Sequence, residues 1–65
     1  MINVPKLKGK IAEAGYNYRQ VAEKIGIHPA TFSRKLDKGV FDSDEIQGLI
    51  NILELEDPMS IFFAQ

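Results

Sequence analysis

Residues that start and stop helices are closely spaced along this chain, and they limit it to short helices joined by tight turns. Proline or a capping residue stands at each predicted helix start, and glycine follows the first three helices. Proline suits a helix start because the missing N–H has no partner there, and glycine suits a helix end because it adopts positive φ at little cost. The alternation of apolar and polar residues that is typical of strands is nearly absent. The sequence therefore predicts an all-α, compact domain of five helices.

Each predicted helix carries apolar residues on one face, so that all of them can share a core. Asn17 with Gln20, and Asp42 with Glu45, have the spacing of capping boxes. Gly48 in the fourth helix either permits close approach of a neighbouring helix or is simply tolerated. The predicted helices run from Pro5 to Gly15 (Leu7, Ile11 and Ala14 inward), Tyr18 to Ile25 (Val21, Ala22 and Ile25 inward), Pro29 to about Asp37 (Phe32 and Leu36 inward), from after Asp42 (Ile46, Leu49, Ile50 and Leu53 inward), and from Asp57-Pro58 through Phe62.

The chain has 65 residues, no cysteine and one histidine, and a mass of 7.3 kDa. This length supports a single domain, residues 1–65, with a small core. Without cysteine there can be no disulfide or thiolate metal site, and one histidine cannot form a multi-histidine site. No apolar run approaches the roughly 20 residues of a membrane-spanning helix, and residues 1–20 lack the apolar stretch of a secretory signal. We therefore expect a cytoplasmic, non-enzymatic binding module without a metal or cofactor.

The net charge of −1 conceals an uneven distribution of charge along the chain. Residues 1–38 hold all eight basic side chains and three acidic ones, a formal charge of +5. Residues 39–65 hold six acidic side chains and no basic one, a formal charge of −6. Two ordinary solvated faces explain this pattern as well as a positive surface that meets a polyanion does.

Residues 18–37, YRQVAEKIGIHPATFSRKLD, have the features of two short helices joined by a tight turn. Ala22 is small where a second helix would cross closely, Gly26 suits the turn, and Phe32 supplies a large core residue. With Ile27 directly after the glycine, this spacing resembles the helix-turn-helix of the lambda-repressor-like and Cro-like family of phage repressors and bacterial regulators. The run TFSRKLDKG and the acidic start of the next helix resemble small phage-encoded Cro- and CI-type proteins most, and the resemblance covers most of the chain.

The resemblance implies a sequence-specific transcriptional regulator that inserts its third helix into the major groove of a double-stranded DNA operator. It also implies a homodimer on a palindromic site with half-sites about 10 bp apart. Arg34 is the first candidate for base recognition, because its planar fork pairs with guanine O6 and N7. The other base-contact candidates are Ser33, Ala30, Pro29 and Thr31. Phosphate contacts are expected from Tyr18, Arg19, Gln20, His28, Lys35 and Lys38.

Two positions of the third helix depart from the family's pattern. Pro29 and Ala30 stand where relatives often carry longer polar side chains, so direct base recognition is sparse and DNA shape contributes more. Pro29 also lacks the N–H that could meet a phosphate at the helix N-terminus. Each lysine has the alternative role of an ordinary solvated charge, and His28 has that of a helix cap.

Bulky apolar residues at the C-terminal end have two possible roles. Core packing explains some of them, but three large neighbours at positions 61–63 cannot all face inward from one helix. The candidates for a dimer contact are Met59, Ile61, Phe62 and Phe63. The acidic half and this aromatic end also fit a second function, a protein-interaction module on the same fold that acts like an anti-repressor or antitoxin by binding another regulator.

Overall fold

The computed structural model describes residues 2–63, which form five α-helices and no strand. The predicted all-α class is therefore confirmed, while the predicted domain ends at residues 1 and 65 lie outside the described residues. The last helix starts one residue later than predicted, after Pro58. The helices are α1 (Val4–Glu13), α2 (Tyr18–Ile25), α3 (Pro29–Lys38), α4 (Ser43–Leu53) and α5 (Met59–Phe62).

Side-chain caps fix the starts of the longer helices. Both predicted capping boxes form: the Asn17 carboxamide accepts the N–H of Gln20 at 2.8 Å, and the Asp42 carboxylate accepts the N–H of Glu45 at 2.9 Å. In each box the second side chain accepts the N–H of the capping residue in return, at 2.9 Å. A cap that the sequence analysis missed, Asn3, accepts an N–H of the first turn of α1 at 3.1 Å. This cap explains why α1 begins one residue before the predicted Pro5.

The first four helices end in the same hydrogen-bonded arrangement. A residue with positive φ follows each helix, and the next residue donates its N–H to the carbonyl five positions back, at 3.0 to 3.2 Å. This Schellman arrangement provides partners for carbonyls that a helix end leaves free. Gly15, Gly26 and Gly39 hold the positive-φ position of α1, α2 and α3, as predicted. Glu54, at φ 50°, holds it after α4.

Buried apolar side chains from every helix form one core. Leu7, Ile11 and the other inner positions predicted for α1–α3 are buried or packed against this core, except Ala14. Ala14 is exposed because it lies at the C-cap of α1, beyond the last helical residue, so its prediction as a core residue was wrong. The buried apolar residues are Leu7, Ile11, Val21, Ala22, Phe32, Leu36, Phe41, Leu49, Ile61 and Phe62.

Two of the four C-terminal dimer candidates belong to this core. Ile61 and Phe62 are only 1% and 3% exposed, and the carbonyl of Ile61 accepts the N–H of Asn3 at 2.7 Å. Their assignment to a dimer contact is therefore corrected, because α5 turns both side chains inward. Met59 and Phe63 are 64% and 56% exposed and stay available to a partner.

Gly48 allows α4 to approach α2 closely. A Cβ atom at this position would lie 3.0 Å from Cγ2 and 3.3 Å from Cβ of Ile25. Carbon atoms attract each other best at about 3.5–4.0 Å, so this space is too small for a methyl group without a shift of one helix. Of the two roles left open by the sequence, the structure supports the close approach.

We expect Gly48→Ala to destabilise the fold, by up to about 2 kcal/mol, because overpacking outweighs the gain in helix propensity of about 1 kcal/mol. Gly9 is the matched control, since it lies in α1, is exposed, and has no atom within 4 Å of an added Cβ. Gly9→Ala should stabilise the fold by about 1 kcal/mol. Urea unfolding of the two variants measures the difference, and an equal gain at both positions would show that α2 and α4 separate easily.

Candidate nucleic-acid interface

A three-residue turn joins α2 to α3 and holds the two helices together. Gly26 has φ +82°, and the N–H of Ile27 donates to the carbonyl of Ala22 at 3.0 Å. The side chains of Ala22 and Phe32 are both completely buried. Because the turn is short and its backbone is hydrogen-bonded, the direction in which α3 leaves α2 is fixed.

One side of α3 faces the core and the opposite side faces solvent. Phe32 and Leu36, four residues apart, are buried. Ala30 and Arg34, also four residues apart, are exposed on the outer side. The remaining base-contact candidates are half-buried at the edges of this face and are Pro29, Thr31 and Ser33. The five predicted base-contact residues are thus brought together on the N-terminal half of α3.

The guanidinium of Arg34 has no salt-bridge partner among residues 2–63. Asp37 lies about one turn further along α3 and is exposed, but the two side chains form no ion pair. A free guanidinium offers five N–H donors in a fixed plane, a geometry that matches the two acceptors on the major-groove edge of guanine. Residues 18–38, whose exposed side chains form the α2–α3 surface, hold five cations and two anions, a formal charge of +3.

His28 caps the start of α3, which is the alternative that the sequence analysis left open. Its Nδ1 accepts the N–H of Ala30 at 3.1 Å. An accepting Nδ1 leaves the hydrogen of the neutral ring on Nε2. The cap and a phosphate contact are therefore compatible, since the exposed imidazole keeps one N–H to donate.

The first turn of α2 carries three predicted phosphate contacts. The ring of Tyr18 packs edge-on against Phe32, with ring centres 6.0 Å apart, and remains 37% exposed. The Oε1 atom of Gln20 accepts the N–H of Asn17 in the capping box, which leaves its amide N–H groups as donors. Arg19 is exposed. All three side chains carry N–H or O–H donors, as contact with phosphate oxygens requires.

The two predicted phosphate contacts near the end of α3 differ in their surroundings. Lys38 is exposed and has no salt-bridge partner among residues 2–63. Lys35 is half-buried, and its Nζ lies 2.6 Å from Oε2 of Glu45 on α4. The capping box of Glu45 was predictable from the sequence, but this second contact was not, because no local pattern relates residues 35 and 45. The phosphate role of Lys35 stays a prediction, whereas its ion pair is part of the fold.

Features of the described residues outside α2 and α3 include a groove beside α1, whose two cations already have partners, and the exposed Lys8 of α1. Residues 2–63 hold no group of three or more His, Cys, Asp or Glu placed to bind a metal, and none of their helices could span a membrane. A groove of about 530 Å³ lies between α1 and the α4–α5 connection, away from α2 and α3. Of its two cations, Lys6 donates to Ser60 Oγ at 2.9 Å and Lys10 pairs with Glu13 at 3.7 Å.

Comparison with known proteins gives no match for this chain to a family model, a curated protein or a solved structure. Any inference about its function consequently depends on the geometry and charge of the α2–α3 surface.

Proposed function

We propose that this protein is a sequence-specific, DNA-binding transcriptional regulator and that α2 and α3 act as a helix-turn-helix. In this proposal α3 enters the major groove of a double-stranded DNA operator, and α2 crosses the phosphate backbone. The fold is then of the lambda-repressor-like type, in agreement with the resemblance of residues 18–37. Neither a cofactor nor a metal takes part.

The observation that carries the proposal is the outer face of α3, where Arg34 is exposed and has no ion-pair partner in residues 2–63. Phe32 and Leu36 anchor the opposite face in the core, so this face cannot turn away from a ligand. A short helix that is anchored in the core and presents a free guanidinium is suited to the edge of guanine in the major groove.

The side chains around Arg34 have separate roles in this proposal. Ser33 can donate to or accept from a base, and Ala30 can contact a thymine methyl group. Pro29 and Thr31 approach the DNA at the helix start. The residues proposed to hold phosphate oxygens are Tyr18, Arg19, Gln20, His28 and Lys38. Lys35, the sixth predicted phosphate contact, is not included because it is paired with Glu45. Few base contacts remain, so DNA shape contributes to specificity.

One copy of the chain covers about one half-site. The structure extends 28 × 22 × 19 Å, which is less than the roughly 34 Å of one turn of B-DNA. A homodimer on a two-fold symmetric operator would place two α3 helices in successive major grooves on one side of the duplex. Met59 and Phe63, which are large, apolar and exposed, are the proposed contacts between the copies.

Selection of bound duplexes from a random pool tests the proposal directly. We expect enrichment of a two-fold symmetric sequence that contains guanine and has half-sites about 10 bp apart. An asymmetric single half-site would contradict the homodimer alone. If no sequence were enriched and the protein formed a stable complex with another regulator, the result would favour the protein-interaction module. The acidic residues 39–65 and the exposed side chains of Met59 and Phe63 also fit that function.

A further inference from the structure

Glu45 accepts two hydrogen bonds with its carboxylate, one within the start of α4 and one that joins α4 to α3. Its Oε1 atom accepts the backbone N–H of Asp42 at 2.9 Å, within the capping box of α4. Its Oε2 atom accepts from the ammonium of Lys35 at 2.6 Å. The side chain of Glu45 is only 8% exposed, and that of Lys35 is 31% exposed. The pair is therefore partly shielded from solvent and differs from an ordinary surface salt bridge.

Lys35 is the cation of residues 18–38 whose charge is neutralised within the described fold. The others, Arg19, Lys24, Arg34 and Lys38, have no carboxylate within 4.0 Å in residues 2–63. To reach a phosphate with its full charge, Lys35 would have to leave a carboxylate that is almost completely buried. Removing one partner of a buried ion pair is strongly unfavourable, since the remaining charge has neither water nor a counterion.

We propose that Glu45 withholds Lys35 from the DNA backbone and so limits sequence-independent binding by the α2–α3 surface. This inference builds on the proposed function and adds a positioning residue that lies outside the recognition helix. Each cation that meets a phosphate strengthens binding to every DNA sequence through counterion release. With Lys35 held by Glu45, the outer face of α3 presents Arg34 to the bases without this neighbouring phosphate contact.

The salt dependence of binding to a random-sequence duplex tests this role. The proteins compared are wild type, Glu45→Gln, and the double variant Lys35→Met with Glu45→Gln. Glutamine keeps the oxygen that caps α4 but lacks the charge that holds Lys35. We expect Glu45→Gln to steepen the slope of log affinity against log salt concentration by about 0.9. Between about 50 and 200 mM salt, this variant should then lose roughly threefold more affinity for the random duplex than wild type does. The double variant should return to the wild-type slope.

Two results would overturn the inference. If Glu45→Gln had the wild-type slope, release of Lys35 would not create a phosphate contact. If the double variant had a slope about 0.9 shallower than wild type, Lys35 would already contact DNA in the native protein. Circular dichroism and urea unfolding show whether each variant folds. Should Glu45→Gln fail to fold, the double variant still keeps the inference falsifiable, because a slope about 0.9 shallower than that of wild type would overturn it.

The same measurements separate this inference from the proposed function. A steeper slope for Glu45→Gln without any enriched operator sequence would support the role of Glu45 and contradict the regulator. An enriched operator, together with equal slopes for wild type and Glu45→Gln, would support the regulator and contradict the role of Glu45. If neither wild type nor Glu45→Gln bound the random duplex at low salt, the role of Glu45 would be overturned, and the selection experiment alone would decide on the regulator.

Discussion

Replacing Arg34 with alanine is expected to remove most of the preference of this protein for its operator. A bidentate contact between arginine and guanine contributes about 1–3 kcal/mol to discrimination, which corresponds to a 5- to 150-fold change in the affinity ratio. Arg34 is the base-contact candidate that carries a planar, charged guanidinium. The other base-contact candidates on this face of α3 are small or half-buried. The measurement is the ratio of affinities for the selected operator and a random duplex at one fixed salt concentration.

Arg34→Lys is the matched control, because lysine keeps the positive charge but cannot form the planar two-point contact. We expect Arg34→Lys to retain the affinity and salt slope of wild type on random DNA and to lose the operator preference nearly as fully as Arg34→Ala. An unchanged affinity ratio in both variants would show that α3 does not read bases through Arg34. The assignment of the recognition face would then be wrong.

Replacing Phe32 with alanine should abolish the folded state at room temperature. Phe32 is completely buried, and its ring contacts those of Tyr18 and Phe41, with centres 6.0 and 5.6 Å away. Truncation of a buried phenylalanine to alanine costs about 3–5 kcal/mol. The core of a domain of this length rarely contributes more than about 3–5 kcal/mol to the free energy of unfolding, so the loss consumes most or all of it. Thermal unfolding followed by circular dichroism measures this loss.

Phe63→Ala is the control for Phe32→Ala, since it removes the same side chain from a position that is 56% exposed. Measured without DNA and at a concentration at which the chain is monomeric, so that the proposed dimer contact is not involved, its free energy of unfolding should change by less than about 0.5 kcal/mol, as is usual for surface substitutions. A cooperative transition of Phe32→Ala near the wild-type temperature would contradict the central place of Phe32 in the core. Such a result would also remove the reason for a fixed orientation of α3, since Phe32 anchors its inner face.

The helices themselves could be predicted from the sequence, because their signals are local. A capping box relates residues three positions apart, such as Asp42 and Glu45, and an apolar stripe relates residues four positions apart, such as Phe32 and Leu36. Glycine marked three of the four Schellman ends for the same reason. The end of α4 carried no such signal, since Glu54 takes a conformation that non-glycine residues seldom adopt.

The candidate interface was predictable to the extent that it depends on one helix. The spacing of Phe32 and Leu36 already directs Arg34 outward, and the structure confirms its exposure. The surroundings of Lys35 were not predictable in this way. Its partner lies ten positions away on another helix, and the sequence offered equal reasons to expect a phosphate contact or a solvated charge at each lysine.

Local patterns are enough to predict where helices begin, where most of them end, and which face of each is apolar, because these properties arise between residues a few positions apart. The contacts between helices became visible only in the folded chain: Lys35 is paired with Glu45, Ile61 and Phe62 are buried while Phe63 is not, and Gly48 lies against α2. Such contacts depend on the angle and distance between packed helices. Local periodicity leaves both of these undetermined.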